Sequence, residues 1–366
     1  MVQRNILVDA RQFIGGTSTG IGRYVEGLVD CLADTFAGDR IVLISFGENQ
    51  IPSRLTTRNN ITVNKISPSF LKSELTLSRL SRAGANLIIS PYPKLPLFGT
   101  FCPCINTVHD VLDLTHPAYR KRSKVVFDTF RIKAALKRAD VSWFDSESSL
   151  RAAQKLLGMV GRKPRVRYPA ISEIFNPNHQ ENEEAVLNKY NLDKGYILTI
   201  GNGLPHKNLG ILLEVSDRLA RKLVFVGVCA QNKKLWLTDY PHADAVWTHP
   251  VDDQDLPAII RGAYCLAQPS TAEGYGYPPL EAMACGVPAV VSKIPVLVET
   301  TGGAALTADP LNSEAWLNSF LNLENEEFHR RQVEKGLRWV KPFLGRRGWH
   351  KCLSDIQSVM RVKHLR

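Results

Sequence analysis

The sequence predicts an α/β protein with two doubly wound domains, each a parallel sheet covered by helices. Short apolar runs alternate with helical patterns along the whole chain, which is typical of parallel sheets whose strands are joined by helices. The chain has 366 residues, more than one ordinary core accommodates. A polar, turn-rich segment, SEIFNPNHQENEEA (172–185), separates two alternating sets and is expected to be the linker.

The predicted domains span residues 1–172 and 173–345, and residues 346–366 are expected to form a last helix that packs back on the first domain. Apolar runs bounded by turn residues predict the strands, at 5–10, 40–46, 61–66, 86–91, 102–111, 141–146 and 166–170 and then at 195–203, 222–228, 243–249, 264–270 and 287–292. Apolar residues at helical spacing predict the main helices: one that follows the glycine-rich turn within 15–34, and others at 118–140, 208–220, 252–263 and from Ser313 onward.

Composition excludes several classes of protein. With 44% hydrophobic and 22% charged residues, the chain is globular rather than disordered. No apolar run approaches the 18 residues of a transmembrane helix, and the start, MVQRNILVDARQF, is interpreted as a first strand rather than a signal peptide. Seven cysteines without a CxxC pair are expected to be buried free thiols in a reducing cytoplasm.

Positive charge is concentrated in the first domain, where residues 1–172 hold 25 Lys and Arg against 13 Asp and Glu. Much of it lies in 118–140, where apolar residues can share part of one helix surface with cations around it; they are Val125, Val126, Phe127, Phe130, Ile132 and Leu136. Such a surface suits anionic lipid headgroups, and a solvated helix face is the alternative. Nucleic-acid binding is weaker because no nucleic-acid motif accompanies the charge.

Two glycine-containing turns each follow a predicted strand and open a predicted helix. GGTSTGIGR (15–23) offers backbone N–H groups to an anion, although its glycine spacing is not that of a dinucleotide-binding motif. In TIGNGLPHKN (199–208), Lys207 can meet a diphosphate as a point charge and Asn208 is predicted to cap the helix. A structural turn and a solvated cation are the alternatives.

The segment STAEGYGYPPLEAMACGVPAVVS (270–292) predicts an acidic glycine loop, a helix and a buried strand. Pro278 and Pro279 suit the first turn of the helix, and Gly286 suits the position just beyond its end. We expect Glu281 in that first turn and Glu273 in the loop before it. Carboxylates there can accept hydrogen bonds from sugar or ribose hydroxyls, or they can simply favour the helix dipole.

These segments carry a resemblance to a known family. PSTAEGYGYPPLEAMACGVPAVVS resembles the signature of the family-four, retaining, nucleotide-sugar-dependent glycosyltransferases, which have the GT-B fold. Supporting pieces follow in order: DAR…GIGRY, VHD, the GN-x-x-PHKN turn and PVLVETTGGAAL. The GN-x-x-PHKN form also resembles bacterial mannosyltransferases that build surface polysaccharide. The resemblance implies two Rossmann-like domains across a cleft, the first on the acceptor side and the second binding the donor.

The resemblance also implies roles for residues that match the family's motifs. Glu273 would bind hydroxyls of the donor sugar, Glu281 the ribose, and Lys207 the diphosphate. His109 would lie near the transferred sugar with Asp110 orienting its imidazole, and Glu299 is left between a family role and helix capping. The remaining donor-binding positions are Gly15, Gly16, Gly201, Asn202, His206, Asn208, Gly274, Tyr275 and Gly276.

Two residues depart from the family's pattern. Leu204 stands where many relatives carry a basic residue, and Arg23 or another arginine is expected to compensate. Tyr275 stands where phenylalanine is commoner, a change that should be tolerated. Asp253-Gln-Asp255 resembles a metal-binding string, but it immediately precedes LPAIIRGA and is interpreted as acids at a helix start. No metal or other cofactor is therefore expected.

The expected function is transfer of a hexose from a nucleotide sugar to a lipid-linked or oligosaccharide acceptor in bacterial polysaccharide or lipopolysaccharide biosynthesis. GDP-mannose is the first choice of donor, with UDP-glucose, GDP-rhamnose and dTDP-rhamnose behind it. The expected location is the cytoplasm, peripheral on the inner face of the membrane. The rivals are a sugar-nucleotide epimerase, a non-catalytic partner that keeps the nucleotide-sugar site, and a nucleic-acid binder.

Overall fold

A computed structural model describes residues 3–11, 13, 20–47, 51–115, 122–248 and 251–362. The chain forms two units. Unit 1 comprises Met1–Ala170 and Gly345–Arg366, and unit 2 comprises Ile171–Leu344. The predicted boundaries, at 172/173 and 345/346, lie close to these divisions.

Unit 1 is built on a parallel sheet of seven strands in the order β3-β2-β1-β4-β5-β6-β7. Its strands are β1 Asn5–Asp9, β2 Arg40–Ser45, β3 Ile61–Lys65, β4 Leu87–Ser90, β5 Cys104–Val108, β6 Val141–Phe144 and β7 Pro164–Val166. The central strands β4, β5 and β6 are buried along their whole length, as their continuous apolar sequences require. β7 begins two residues earlier than the predicted strand 166–170 and overlaps it only at Val166, and Pro169 has no N–H to extend the ladder.

Helices cover both faces of this sheet. They are α1 Gly20–Thr35, α2 Ser53–Thr56, α3 Phe70–Arg82, α4 Leu112–Thr115, α5 Arg122–Arg138 and α6 Glu147–Leu157. On one face Ile6 and Val8 pack with Leu28 and Leu32 of α1, and on the other Leu7 packs with Leu77 of α3. The alternation along β1 therefore feeds two separate cores, one for each face.

The basic helix α5 does not present its apolar residues as one stripe. Ile132 and Leu136 are buried against the sheet side, whereas Val126, Phe127 and Phe130 are exposed. The expectation that all of these share one surface is wrong, because the helix uses one face for the core and leaves a second apolar face in solvent.

Unit 2 is built on a parallel sheet of six strands in the order β10-β9-β8-β11-β12-β13. Its strands are β8 Tyr196–Ile200, β9 Leu223–Val226, β10 Ala245–Thr248, β11 Ala263–Gln268, β12 Ala289–Ser292 and β13 Leu306–Ala308. Its helices are α7 Glu183–Lys189, α8 Gly210–Leu213, α9 Ala230–Asp239, α10 Leu256–Gly262, α11 Tyr277–Ala284, α12 Pro295–Thr301, α13 Ser313–Leu323 and α14 Glu326–Val340.

Several helices of unit 2 differ from the sequence prediction, and one of them, α7, begins at Glu183 inside the predicted linker 172–185. The helix predicted at 208–220 is broken into α8 and a 3₁₀ turn, Ser216–Arg218, where the Ser216 hydroxyl donates to the Leu213 carbonyl and competes with the helix ladder. The sequence analysis missed α9, between β9 and β10. None of its residues is buried, so it carries no apolar periodicity.

The C-terminal helix α15, Gly345–Val362, belongs to unit 1. Its Trp349 ring meets Tyr24 of α1 edge to face at 5.2 Å and lies where a side chain at Gly27 would project. Asp355 accepts hydrogen bonds from the Trp143 indole (2.9 Å) and from Arg167 (2.8 Å). These contacts fix the last helix on the α1 face of the sheet.

The cysteines are all free, and six of the seven are buried, while Cys229 is exposed. The expectation of buried thiols is therefore wrong for Cys229, which precedes the exposed helix α9. None of the helices that the structure describes has the length and apolarity that crossing a bilayer requires.

Candidate active site

The carboxyl ends of two adjacent strands bring together two predicted site residues of unit 2, Lys207 and Glu273. β8 and β11 are neighbours in the sheet, and the strand order reverses direction between them. Ligands of doubly wound sheets bind outside the carboxyl ends of the strands at such a reversal. The loop after β8 carries Lys207, and the loop after β11 carries Glu273.

Lys207 and Glu273 form an ion pair, with 2.7 Å between Nζ and Oε1. The side chains are only 16% and 11% exposed, so the pair is largely withdrawn from water. The aliphatic part of Lys207 lies against Gly201, where an added β-carbon would be 3.4 Å away. The lysine stem therefore packs along the backbone directly after β8 on its way to the other loop.

Two residues that the sequence analysis did not select hold Glu273 in place. The same carboxylate oxygen accepts hydrogen bonds from the Ser270 hydroxyl (2.6 Å) and the Gln268 amide (2.5 Å), in addition to Lys207. Burial by itself would raise the pKa of Glu273, but the charge of Lys207 and these hydrogen bonds outweigh it and lower that pKa. Glu273 is therefore an ionised carboxylate with three donors on one oxygen.

A signal for Gln268 and Ser270 exists in the sequence. Both are fully buried polar side chains at the end of an otherwise apolar strand, in the stretch YCLAQPS. Buried polar groups at a strand end need hydrogen-bond partners, and such partners are common at sites. This pattern of polar residues at a strand end is visible in the sequence, but the hydrogen-bond partner of these residues is not.

The acidic loop turns into α11 at a glycine with a left-handed backbone. Gly276 has a φ of 92°, and a β-carbon there would lie 2.5 Å from Leu297. Pro278 and Pro279 occupy the first turn, and Gly286 follows the helix with a φ of 76°, as predicted.

Glu281 does not lie in the first turn of α11. It is the fifth residue of a helix that begins at Tyr277, and its side chain is buried. The helix begins earlier than expected because Gly276, not the prolines, sets its start. The Tyr275 ring, directly after Gly274, is buried and meets Tyr277 edge to face at 5.2 Å.

The turn that carries Lys207 is a 3₁₀ turn, Pro205–Lys207, not the start of a regular helix. Asn208 does not cap a helix: its backbone is left-handed, with a φ of 53°, and its amide donates to the carbonyls of Pro269 (3.1 Å) and Pro310 (2.8 Å). The amide therefore ties the turn to the loop after β11. The carbonyl of buried His206 adds a second tie by accepting from the Thr271 N–H at 2.8 Å.

Asn202 shapes the start of the same turn. Its side-chain oxygen accepts from the Leu204 N–H (3.2 Å), and its carbonyl accepts from the Asn232 amide (2.7 Å). These bonds hold the backbone that follows Gly201, so Asn202 has a structural task whatever else it contacts.

In unit 1, His109 is held at both ring nitrogens. Nδ1 lies 2.6 Å from Oδ2 of Asp145, and Nε2 lies 2.9 Å from the Pro91 carbonyl, to which it must donate. Burial would lower the pKa of His109, but Asp145 and the Pro91 carbonyl outweigh burial and raise it. The geometry and the raised pKa both favour the imidazolium form.

Asp110 does not orient the imidazole, contrary to the expectation. The partner is Asp145, because β5 and β6 pair with Val108 beside Phe144, which places the next residue of each strand side by side. Asp110 instead accepts from the Leu112 N–H at 2.9 Å, and burial raises its pKa.

The GIGRY segment supplies a second neighbour for His109. The Tyr24 ring meets the imidazole edge to face at 4.8 Å, and its hydroxyl lies 3.1 Å from Oγ1 of Thr107. Gly15 and Gly16, the predicted phosphate loop, lie outside the described residues.

Two further acidic positions have structural settings. Glu299 lies in the second half of α12, whose N-cap is Ile294, so it does not cap the helix start. Asp255 stands at the start of α10 as predicted and accepts from Lys189 (2.7 Å) and from the Tyr190 hydroxyl (2.9 Å). Within the described ranges, no three His, Cys, Asp or Glu side chains are grouped as metal ligands would be.

Comparison with solved structures defines the class of the fold. The chain superposes on sucrose-phosphate synthase from Thermosynechococcus elongatus with a TM-score of 0.79 at 17% identity, covering 99% of this chain and 100% of the other. It also superposes on HepE of Anabaena in complex with UDP-glucose, with a TM-score of 0.77 at 15% identity, covering 97% and 99%. Two parallel sheets with helices on their faces thus form a GT-B fold.

Sequence comparison shows which glycosyltransferases the chain resembles. Residues 180–339 match the family described as glycosyl transferases group 1. The chain is also 29% identical over 263 residues to the O-antigen chain mannosyltransferase B of Escherichia coli, covering 69% of this chain and 68% of that protein. The fold and these similarities support a glycosyltransferase of GT-B fold, and residues 180–339 match the group 1 family.

Proposed function

We propose that this glycosyltransferase moves mannose from GDP-mannose to a lipid-linked saccharide in bacterial surface-polysaccharide synthesis, with retention of anomeric configuration and without a metal. The Lys207–Glu273 pair at the strand reversal of unit 2 is the observation that carries the proposal. It sets a cation and an ionised acid side by side, which matches the diphosphate and the hydroxyls of a nucleotide sugar. The similarity to an O-antigen mannosyltransferase supports mannose.

When the donor binds, Lys207 and Glu273 would separate, and each would contact a different part of the ligand. The Lys207 ammonium would turn to the diphosphate, where it stabilises the negative charge that develops as the bond to the sugar breaks. Glu273 would then keep two donors, Ser270 and Gln268, which hold its carboxylate in place while the other oxygen accepts from sugar hydroxyls.

Glu273 is proposed as a substrate binder rather than a nucleophile. A nucleophilic carboxylate must bring an electron-rich oxygen to the anomeric carbon, and the two donors that stay on Glu273, Ser270 and Gln268, hold the carboxylate in place and draw electron density from it. Front-face attack is the corresponding retaining mechanism. In it, the donor phosphate takes the acceptor proton and the leaving group departs from the same face.

The test combines ligand binding with turnover. GDP-mannose, GDP-rhamnose, UDP-glucose and dTDP-rhamnose are screened for thermal stabilisation, where a ligand at 100 times its Kd adds about 2.7 kcal/mol. Glu273→Gln, Glu281→Gln and Lys207→Ala are then assayed for donor turnover, with Lys234→Ala, an exposed lysine on α9, as the matched control. Near-normal rates in all three site variants contradict the proposal, and stabilisation by UDP-glucose alone transfers it to that donor.

Retention and metal independence have their own readouts. The anomeric configuration of the product is read by NMR, and an inverted product removes front-face retention. Turnover is expected to be unchanged by chelator, and a loss that Mn²⁺ or Mg²⁺ restores would show that a metal is needed.

A further inference from the structure

Unit 1 exposes a group of large apolar side chains on two of its basic helices, α3 and α5. Five of them, at the N-terminal ends of α3 and α5, form what we call the aromatic patch: Phe70, Leu71, Val126, Phe127 and Phe130. Their exposed fractions run from 44% for Phe70 to 72% for Val126. α3 and α5 pack on the same face of the sheet, so both outer surfaces face the same side of unit 1.

The patch is a built surface rather than a set of loose side chains. The Phe70 and Phe127 rings meet at 6.0 Å, and the Arg131 guanidinium lies over both, 5.3 Å and 6.0 Å from their centroids. Arg131 is itself buried and paired with buried Glu74 at 2.8 Å. An internal ion pair therefore fixes two exposed aromatic rings.

The apolar surface continues along α3. The loop after β4 lies beside the helix, where the Ser78 hydroxyl donates to the Phe98 carbonyl and the Phe101 N–H donates to the Ser81 hydroxyl. The Phe98 and Phe101 rings are both about half exposed, and the Arg82 guanidinium lies 4.2 Å from the centroid of the Phe101 ring.

Among the described residues of α3 and α5, the exposed charges have one sign. The acidic residues of α3 and α5 are Glu74 and Asp128, and both are buried and paired, Glu74 with Arg11 and Arg131 and Asp128 with Lys94. Cations on the exposed or half-exposed faces of these helices meet no exposed acid there; they are Lys72, Arg79, Arg82, Lys124, Lys133 and Lys137.

We propose that the aromatic patch and its cations dock unit 1 on a bilayer that contains anionic lipid. Exposed phenylalanine and leucine side chains bury at the boundary between headgroups and acyl chains, and each nearby Lys or Arg contributes about 1 kcal/mol, equivalent to about fivefold in binding. Protruding aliphatic side chains such as Leu71 and Val126 gain from an acyl boundary and gain nothing from phosphates alone, so lipid fits better than nucleic acid. The docking itself does not depend on the proposed function. Only its purpose does, which is to bring unit 1 to a lipid-linked acceptor.

The experiment measures co-sedimentation of the full chain with vesicles of phosphatidylglycerol and phosphatidylcholine, in the absence of any donor. Phe127→Ser with Phe130→Ser is expected to weaken binding at least tenfold, and Lys72→Gln with Lys124→Gln about 25-fold at low salt, from about fivefold for each cation. The control is Lys155→Gln with Leu156→Ser, an exposed cation and apolar residue on α6, with binding within twofold of the wild type.

Three results would overturn the proposal. They are equal binding of the wild type to pure phosphatidylcholine vesicles, patch variants that bind as the wild type does, and tighter binding to a single-stranded oligonucleotide through the same residues. Patch variants that lose vesicle binding while they keep their thermal stability and their turnover of a short-chain soluble acceptor support it. Since Glu273→Gln is expected to keep vesicle binding and lose turnover, failure of the surface and failure of the proposed function are distinguished.

Discussion

Replacing Lys207 by methionine tests the ion pair on which the site depends. Methionine keeps the apolar contact with Gly201 and removes the charge, so Glu273 is left with the Gln268 and Ser270 hydrogen bonds. Breaking a buried pair costs about 3–5 kcal/mol, and an exposed pair contributes about 0.2–1 kcal/mol. At 16% and 11% exposure this pair lies near the buried limit, so we expect a loss of about 2–3 kcal/mol in the free energy of unfolding at neutral pH.

The protonation of Glu273 determines how this loss of stability changes with pH. In the wild type the pKa of Glu273 is lowered, so its contribution to stability is present at neutral pH and is lost as pH falls through that lowered value. Without Lys207, burial is opposed only by the Ser270 and Gln268 hydrogen bonds, so we expect the pKa of Glu273 to rise. The cost is then present at neutral pH and is relieved as Glu273 becomes protonated on acidification. The gap between variant and wild type should therefore narrow between about pH 7 and pH 4.

Thermal unfolding across that pH range is the assay. For a unit of this size each kcal/mol shifts Tm by roughly 2–4 °C, which gives a fall of about 4–12 °C at neutral pH. The double variant with Glu273→Gln should recover much of the loss because no unpaired charge remains buried. A shift below about 1 °C, or a gap that stays constant with pH, would refute the reasoning.

Two further predictions concern single hydrogen-bonding side chains. Asp145→Asn removes the charge that raises the pKa of His109, so burial should lower that pKa below its ordinary value. NMR titration of the imidazole measures the pKa. An unchanged pKa contradicts the assignment of Asp145 as the orienting residue. Asn208→Ala loses two hydrogen bonds, to the carbonyls of Pro269 and Pro310, and strains a left-handed backbone. Chemical denaturation should show a loss of about 2–3 kcal/mol, and a smaller loss for Asn208→Gly, with equal losses counting against backbone strain.

Local sequence patterns were sufficient to predict the parallel sheets and the acidic loop. Buried parallel strands are continuous apolar runs, so NILVDA, NLIISP and VPAVVS could be recognised without a partner. The Gly276 turn and the prolines of α11 act within a few residues, so the loop-to-helix change was visible as well, although Glu281 fell one turn deeper than expected. Local pattern could not find α9, because an exposed helix has no apolar face to reveal it.

The sequence by itself determined which residue types stand at the carboxyl ends of the strands, because strand ends and turn residues are local features. Only the tertiary structure decided which of them meet. Strand pairing brought Asp145, not the adjacent Asp110, to His109, and brought Lys207 to Glu273. It also decided that α5 has one buried and one exposed apolar face. Such contacts depend on register between distant segments, which no local pattern of residues contains.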